Sequence, residues 1–445
     1  MSYLPNTDSE RAKMLAAVGV SQMSDLFVHI PQSVQDAKDF SGLTDSLDDM
    51  TLLRTLSKLS QNTADMNSNA CFLGAGIYDH YIPPIVGAVC SRSEFYTAYT
   101  PYQPEVSQGL LQSIYEFQSL ITRLTGMDVS NASMYDGATA LAEAVIMSCD
   151  LTKRRTVVLP DALHPSLKQV VATYLNPLGI TIRTIPMDAI TGQTVIGDLT
   201  TEDACVVIQQ PNFLGVIEDL HGAVGAAKRV AAHTIVSVDP MSLGVLESPG
   251  AAGADIVVGE GQGLGCFPAF GGPLLGLFAC KKEFVRRIPG RVVGASVDTS
   301  GRKAYTMTLR TREQDIRRDT ATSNICTNQA LFALAATVYM SVMGKQGFVQ
   351  AATLCVQKSH YLANALAAAG VPLRYSAPFF KEFVIRCPIS AVEINKSLLK
   401  HGIIGGLPLE HEANSMLVCV TEQRTKEEMD LFVSLVSAYV TEKDA

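Results

Sequence analysis

The 445-residue sequence lacks closely spaced cysteines and the pattern typical of a secretory leader, and each absence argues against a class of protein. No two of the 10 cysteines lie closer than 14 residues, so the sequence contains no zinc-type cysteine pair. No metal site is therefore predicted. The first residues carry no basic region followed by an apolar stretch, which argues against secretion. We expect a cytoplasmic protein whose thiols are reduced and buried.

Strong net charge and long apolar helices are also missing. The formal net charge is −8 with no acidic or basic tail, which disfavours binding to nucleic acid. The uncharged stretch 263–280 contains five glycines and two prolines, so we predict a loop and a buried strand there instead of a membrane span. The absence of tryptophan excludes nothing. Hydrophobic residues make up 47% of the chain and charged residues 18%, which suits two or three domains with large cores.

The order of predicted elements divides the chain into three parts. Residues 1–65 form an N-terminal helical arm, in which a helix over 8–18 ends at Gly19. Residues 66–318 form a large α/β domain, and residues 319–445 form a small C-terminal α+β domain.

The large domain is predicted from a change in hydrophobic period. Two helices, over 109–126 and 138–149, precede a series of short β-rich runs within 156–280 that alternate partly with helical stretches. Strands that alternate with helices indicate a mainly parallel, buried sheet. The last of these strands could be an antiparallel edge. Residues 281–318 are predicted to be a basic connector.

The small domain is predicted to combine helices with two strands. The helices are expected at 328–347, 350–369, 391–401 and 425–441, and the strands at 381–387 and 415–421. The first helix is strongly apolar and should connect the two domains.

Polar or small residues occur where predicted strands end or where a helix begins in the large domain. Ligands of open α/β sheets bind outside the carboxyl ends of the strands, and a helix N-terminus is well suited to phosphate. Each position by itself is explained equally well by a helix cap or a strand-end turn. The positions are Asp136, Gly137, Thr139, His164, Asn212 and Asp239.

Taken together, these residue types match the needs of a pyridoxal-phosphate site. They offer an imidazole to stack on the ring, an amide, an acid for the protonated ring nitrogen and a phosphate cradle. Such a site also needs a lysine that holds the cofactor as a Schiff base. It should follow the strand after Asp239, but Gln262 and Gly263 stand there, and no lysine occurs before Lys281. We therefore predict a degenerate cofactor pocket and no catalytic residue in this chain.

Longer strings of the sequence resemble a known family. FLGAGIYDHYIPPIV, EFYTAYTPYQPEVSQGLLQSIYEFQ and NASMYDGATALAEA are similar to the P-protein of the glycine cleavage system, in particular to the α subunit (subunit 1) of its two-subunit form. The resemblance runs from Tyr3 to the string HGIIGGLPLE at 401–410. It implies an α/β chain with the aminotransferase-like fold of pyridoxal-phosphate enzymes (fold type I). It also implies that the catalytic lysine lies in the partner β subunit.

The resemblance further implies a heteromeric glycine dehydrogenase (decarboxylating), with two of each subunit. The β subunit would hold pyridoxal phosphate, glycine would lose CO₂ there, and the aminomethyl group would pass to the lipoyl arm of the H-protein. The isolated α chain is expected to be inactive. Two alternatives stay open: a purely structural scaffold subunit, and a stand-alone degenerate pyridoxal-phosphate protein, which the missing lysine disfavours.

A stiff, tyrosine-rich strip precedes the first long helix. Six of the 14 tyrosines fall within residues 72–116. Pro101 and Pro104 keep the backbone extended, and the chain is predicted to enter the helix at about Glu105. Such a strip suits a subunit interface or the wall of an active site, whereas Tyr115 is expected to pack in the core. The candidate residues are Tyr96, Tyr99, Tyr102, Gln103 and Glu105.

The predicted connector is strongly basic. It contains 11 of the 35 basic residues and four acids, so its charge is +7 in a chain of −8. A solvated connector, or ion pairs with the β subunit, would explain this as well as any function. The alternative is electrostatic steering of the H-protein, because charge complementarity raises the encounter rate without tight affinity. The candidate docking residues are Arg302, Lys303 and Arg310.

Overall fold

The computed structural model describes residues 5–37, 41–409 and 414–441, and the chain divides into two compact units, Met1–Ala64 and Asp65–Ala445. The helices of the first unit are α1 (Asp8–Ala17), α2 (Gln32–Asp36) and α3 (Asp49–Ser60). Gly19 follows α1 with φ at 80°, so the helix predicted over 8–18 is confirmed. The division of the chain into an arm and two domains stays a prediction.

Helices and strands alternate along the second unit. The helices are α4 (Pro84–Cys90), α5 (Ser93–Tyr96), α6 (Gln108–Thr125), α7 (Gly137–Thr152), α8 (Pro165–Leu175), α9 (Leu220–Arg229), α10 (Pro249–Ala252), α11 (Gln314–Arg317), α12 (Ala330–Ala368), α13 (Ala391–Lys400) and α14 (Lys426–Thr441). The strands are β1 (Ala70–Cys71), β2 (Val129–Ser130), β3 (Thr156–Pro160), β4 (Thr181–Ile185), β5 (Asp203–Gln210), β6 (His233–Val238), β7 (Ile256–Glu260), β8 (Gly276–Cys280), β9 (Val292–Val297), β10 (Lys303–Thr308), β11 (Glu382–Arg386), β12 (Ile403–Ile404), β13 (Leu407–Pro408) and β14 (Ser415–Cys419).

Within the described ranges, the largest sheet has seven strands in the order β2-β8-β7-β6-β5-β3-β4. Strands β3 to β7 are mutually parallel, while β8 runs antiparallel to β7. The predicted parallel sheet is therefore confirmed, as is the antiparallel direction of its last strand. That strand is not at the edge, because the two-residue β2 pairs along its outer side.

Both faces of this sheet are buried. Val158, Val206 and Val236 belong to a core that includes Phe117 of α6 and Tyr339 of α12. Their neighbours along each strand pack into a second core with α7 and α8. Burial on both faces is the physical reason why these strands appear in the sequence as nearly continuous apolar runs.

A smaller antiparallel sheet, β11-β14-β13, packs with α13 and α14 around a third core. The predicted strands at 381–387 and 415–421 correspond to β11 and β14. The two helices predicted at 328–347 and 350–369 are joined in α12, which is interrupted at Gly344 with φ at 58° and ψ at −176°. The two predicted helices meet at Gly344, where the backbone takes up a conformation that would strain a residue with a side chain.

The prediction that residues 281–318 form a simple connector is wrong. They contain the antiparallel hairpin β9–β10. Val293 and Tyr305 of the hairpin pack with Leu111 of α6 in a small separate core. Most residues of the two strands outside this core are at least partly exposed, so the hydrophobic alternation is too weak to stand out in the sequence.

All ten cysteines lie in the described ranges and are free thiols. Eight of them are buried, as predicted, whereas Cys90 is half-buried and Cys326 is exposed. The predicted burial is therefore wrong for Cys326, which lies in an irregular segment before α12. Among the described residues, no helix is both long enough and apolar enough to cross a membrane.

Candidate functional site

The carboxyl ends of four parallel strands carry the predicted positions at one edge of the large sheet. His164, Asn212, Asp239 and Gln262 follow β3, β5, β6 and β7 respectively. The N-terminus of α7 lies at the same edge, because the Gly137 N–H donates to the carboxylate at the end of β7. The topology therefore brings together residues as far apart in the sequence as Gly137 and Gln262, a separation of 125 positions.

Carboxylates of this chain occupy the N-terminus of α7. Asp136 Oδ1 accepts the Thr139 N–H at 2.7 Å, and Thr139 Oγ1 accepts the Asp136 N–H at 3.3 Å, which together make a capping box. Glu260 Oε2 accepts the Gly137 N–H at 2.9 Å. A Cβ at position 137 would lie 2.9 Å from the Glu260 backbone nitrogen, so only glycine allows this approach. The N–H group predicted to hold phosphate is thus already bonded.

Glu260 was not among the predicted site residues. Its Oε1 accepts the N–H groups of Gln262 and Leu275 at 3.0 and 2.9 Å. Burial raises the pKa of Glu260 to about 7 in spite of these hydrogen bonds, which favour the charged form. An acid between two glycines at the end of a buried strand is the sequence signal that could have identified it.

Gln262 occupies the position where a Schiff-base lysine is expected. Its side chain is buried, and Oε1 accepts the Tyr78 N–H at 2.8 Å. Its Nε2 donates to the carbonyls of Tyr78 and Cys266 at 3.1 and 2.7 Å. A Cβ on Gly263, the next residue, would lie 3.1 Å from the His80 ring. The amide therefore ties the Tyr78 segment to the loop after β7, which a lysine could not do because it has no acceptor.

Asp239 pairs with a lysine that the sequence analysis missed. Its Oδ2 lies 2.8 Å from Nζ of Lys381, which is 1% exposed and immediately precedes β11. Burial acts to lower the pKa of Lys381, but the charge of Asp239, its hydrogen bond to the ammonium group and two nearby thiols together outweigh that effect, so the pKa is raised. A lysine at the start of the apolar run KEFVIRC is the signal that could have pointed to it.

A hydrogen-bond chain extends from this pair. Lys381 Nζ lies 2.8 Å from His80 Nε2, and His80 Nδ1 lies 2.7 Å from Glu422 Oε2. Because an ammonium group only donates, Nε2 accepts and Nδ1 donates its proton to Glu422. Burial alone would raise the pKa of Glu422, but its contact with His80 and the hydrogen bond from the Tyr81 N–H lower it.

His80, Cys355 and Glu422 could offer three metal-ligand atoms within 4.8 Å of one another. Both ring nitrogens of His80 already take part in hydrogen bonds, to Lys381 and Glu422. The Cys355 thiol also lies 3.3 Å from Glu422 Oε2. The cluster is therefore explained as a buried hydrogen-bond network, and we infer no metal site from it.

His164 and Asn212 bond to groups of their own chain. His164 Nδ1 accepts the Ser166 N–H at 3.0 Å and caps α8, while Nε2 lies 3.0 Å from the Ala75 carbonyl. Asn212 is buried and donates to Glu218 Oε1 at 2.7 Å. That these two residues, with Asp136, Gly137, Thr139 and Asp239, are degenerate pocket positions stays a prediction.

The residues at this edge do not fit pyridoxal phosphate. A glutamine stands in place of the amine, Lys381 pairs with the acid, and Glu260 occupies the phosphate donor of α7. The cavity that remains beside Asp239 and Lys381 measures about 20 Å³, which is room for about one water molecule.

Comparison with known proteins identifies the family of this chain. A family model described as the glycine cleavage system P-protein matches residues 1–436. The chain is 49% identical over 445 residues to "Probable glycine dehydrogenase (decarboxylating) subunit 1" of Desulforamulus reducens, a match that covers 98% of this chain and 100% of that one. The chain belongs to the P-protein family of the glycine cleavage system. The predicted resemblance to its subunit 1 is confirmed.

The fold of this P-protein is shared with a solved member of the family. It matches the crystal structure of a glycine decarboxylase (P-protein) in inhibitor-bound form with a TM-score of 0.92 and 40% identity, over 99% of this chain and 100% of that one. An alanine–glyoxylate aminotransferase from Nostoc shares the fold with a TM-score of 0.60 and 16% identity, over 89% and 100% of the two chains. The predicted fold type I of pyridoxal-phosphate enzymes is confirmed.

The tyrosine strip lies at the surface of the P-protein chain. Tyr96 and Tyr99 are 68% and 84% exposed, and Tyr102 is 47% exposed. The Tyr102 hydroxyl accepts a hydrogen bond from Arg291 at 3.2 Å, and the guanidinium groups of Arg291 and Arg310 lie 5.6 and 5.0 Å from its ring centroid. Tyr102 is thus held in place while much of its ring faces outward.

The remaining strip residues are also exposed, with one correction to the predicted helix. Gln103 and Glu105 are exposed. Glu105 lies in a 3₁₀ turn, Pro104–Val106, and α6 begins only at Gln108. The prediction that the helix starts at about Glu105 is wrong because Ser107 is non-helical, with φ at −125° and ψ at 22°.

The three predicted docking residues belong to two local clusters. Arg302, in the β9–β10 turn, is 80% exposed and pairs with Asp298 at 2.8 Å. Lys303 begins β10 and is likewise exposed. Arg310 instead pairs with an acid of α11 at 2.7 Å and lies over the Tyr102 ring.

Proposed function

We propose that this chain is the α subunit (subunit 1) of a heteromeric glycine dehydrogenase (decarboxylating). The observation that carries the proposal is Gln262, whose buried amide is fully engaged where a cofactor-binding lysine would stand. The β subunit supplies both that lysine and pyridoxal phosphate. The complex decarboxylates glycine and transfers the aminomethyl group to the lipoyl arm of the H-protein, and the isolated α chain is inactive.

The tyrosine strip is the part of this chain that we propose for contact with the β subunit or its active site. Exposed aromatic rings on a stiff backbone suit a protein interface, because little conformational freedom is lost when they are covered. Tyr99 is the most exposed ring of the strip, and the Tyr102 ring is contacted by two arginines. We propose that Gln103 and Glu105 belong to the same contact, in an assembly with two of each subunit.

We also propose that the basic hairpin turn steers the acceptor protein. Arg302 and Lys303 are exposed, and this leaves them accessible to a transiently docking partner. Arg310 contacts Tyr102, so we assign it to the tyrosine strip as well as to the docking surface.

Co-expression with the β subunit tests the main proposal. Glycine-dependent exchange of CO₂ should appear only when both subunits are present. Tyr99→Ala and Tyr102→Phe should lower the exchange rate or dissociate the complex, whereas Tyr361→Ala should not, because that partly exposed tyrosine lies on α12, away from the strip in sequence. Loss of exchange in an intact complex supports a role at the active site, and dissociation supports an interface. Unchanged activity and assembly in both variants would contradict the assigned role of the strip.

A pure scaffold subunit is the second candidate. Its supporting observation is the completely bonded pocket, which offers nothing to a substrate. It predicts that strip variants change assembly alone, so turnover per intact complex separates the two candidates.

A further inference from the structure

Lys381 is a fully charged group in a place where charge is costly. Its side chain is 1% exposed, and a buried ammonium group is tolerated only when it is paired and hydrogen-bonded. Its Nζ lies 2.8 Å from Asp239 Oδ2 and 2.8 Å from His80 Nε2, and 3.3 Å from the centroid of the Tyr78 ring. An anion, an acceptor and an aromatic face therefore surround one ammonium group.

These partners come from separate parts of the second unit. Asp239 immediately follows β6 of the large sheet, and Lys381 immediately precedes β11 of the small one. His80 and Tyr78 lie in the segment before α4, and that segment is itself fixed by Gln262. A single ammonium group thus links the two sheets with the segment between them.

The Lys381 ammonium group lies beside Asp239 at the strand-end edge of the large sheet, and this position indicates a role beyond that of an ordinary ion pair. Enzymes with this kind of site use an acid to pair with the protonated ring nitrogen of the cofactor. Asp239 has the strand-end position of that acid, but its partner here is Lys381. Glu260 likewise stands where phosphate would bind, and Gln262 where the amine would be. A side chain of the protein therefore occupies each of the three positions that would hold a cofactor by its ring nitrogen, its phosphate group and its Schiff base.

We propose that the Lys381 ammonium group, bound by Asp239, His80 and the Tyr78 ring, serves as a built-in cation that stabilises the cofactor-free pocket in place of a cofactor. The Asp239–Lys381 pair holds the small sheet against the large one. This inference does not depend on the β subunit, so it can fail or succeed separately from the proposed function.

Chemical rescue of the full chain tests the proposal. Lys381→Ala removes the ammonium group and leaves space beside Asp239. We expect its unfolding midpoint to fall by about 5 °C or more, since a buried charge loses its partner. n-Propylammonium chloride should restore at least half of that loss, whereas 1-propanol and equimolar potassium chloride should not. Lys426→Ala is the matched control, because Lys426 is 64% exposed in its pair with Asp430 and should show no rescue.

Absence of rescue in a folded Lys381→Ala protein would overturn the proposal. If Lys381→Ala does not fold, Lys381→Met should be compared with the double variant Asp239→Asn/Lys381→Met. The double variant should unfold at a higher temperature, because the single variant leaves the Asp239 carboxylate buried without its cation. A double variant that is no more stable than Lys381→Met would equally overturn the proposal.

Discussion

The carboxylate of Glu260 makes the stability of this protein depend on pH in a way that one substitution can isolate. The pKa of this group is about 7 in the folded chain, raised by burial from 4.5. The folded state therefore binds its proton more tightly than the unfolded state. The contribution of this group is fully present below pH 4.5 and is lost as pH rises through 7, by about 3 kcal/mol in total at 1.36 kcal/mol per pKa unit.

Glu260→Gln separates this effect from every other titration. The amide keeps one acceptor for Gln262 and Leu275, but its NH₂ group faces the N–H of Gly137. The mismatch costs about 1–3 kcal/mol at all pH values. The variant should therefore be less stable than the wild type at pH 5, and this difference should shrink by about 2–3 kcal/mol by pH 8.

Urea unfolding between pH 5 and pH 8 measures this difference directly. Glu202→Gln is the control, because Glu202 is exposed and its substitution should leave the curve unchanged. A difference between Glu260→Gln and the wild type that stays constant across this range would refute the reasoning. It would mean that the three N–H donors keep Glu260 ionised throughout.

Three further predictions concern the same chain. Gln262→Lys should not create a cofactor site, so incubation with pyridoxal phosphate and borohydride should leave position 262 unlabelled. The free energy of unfolding should fall by about 1–3 kcal/mol, because the Tyr78 N–H loses its acceptor. Reversing the charge at Arg302 and Lys303 should raise the KM of the α/β complex for H-protein, and added salt should raise the KM of the wild-type complex in the same way. Turnover with free lipoate should barely change, and dissociation of the α/β complex would contradict the steering role. Asp136→Ala should destabilise the chain by about 1 kcal/mol in thermal unfolding, since it removes the cap of α7, and an unchanged midpoint would show that Glu260 alone satisfies the helix end.

The sequence predicts those parts of the fold that bury apolar residues continuously. Strand β3 begins at residue 156, where the predicted series of β-rich runs begins, and this start is clear in the sequence because both faces of the strand are covered. The end of α6 is equally clear, since Gly126 takes up a left-handed conformation with φ at 71°. The hairpin β9–β10 escapes prediction because much of its surface is exposed, which leaves the apolar alternation of its strands weak.

The site residues likewise fall into those that local features of the sequence predict and those that only the packing of the fold brings to the site. The positions of Asp136, Asp239 and Gln262 follow from strand and helix ends, which are local features of the sequence. The groups that bond to them do not, because Lys381 lies 142 residues beyond Asp239 and meets it only through the packing of two sheets. The sequence shows that the Schiff-base lysine is missing, but it does not show which side chains occupy the place of the cofactor.

The most direct test of the central claim is borohydride trapping followed by peptide mapping, on the α chain alone and on the α/β complex, each with pyridoxal phosphate. The glycine-dependent exchange of CO₂ is measured on the same samples. We predict that the α chain alone shows no trapped cofactor and no exchange. The complex should show exchange, with the label confined to a lysine of the β subunit. A label on any lysine of this chain, or exchange by protein free of the β subunit, would contradict the account.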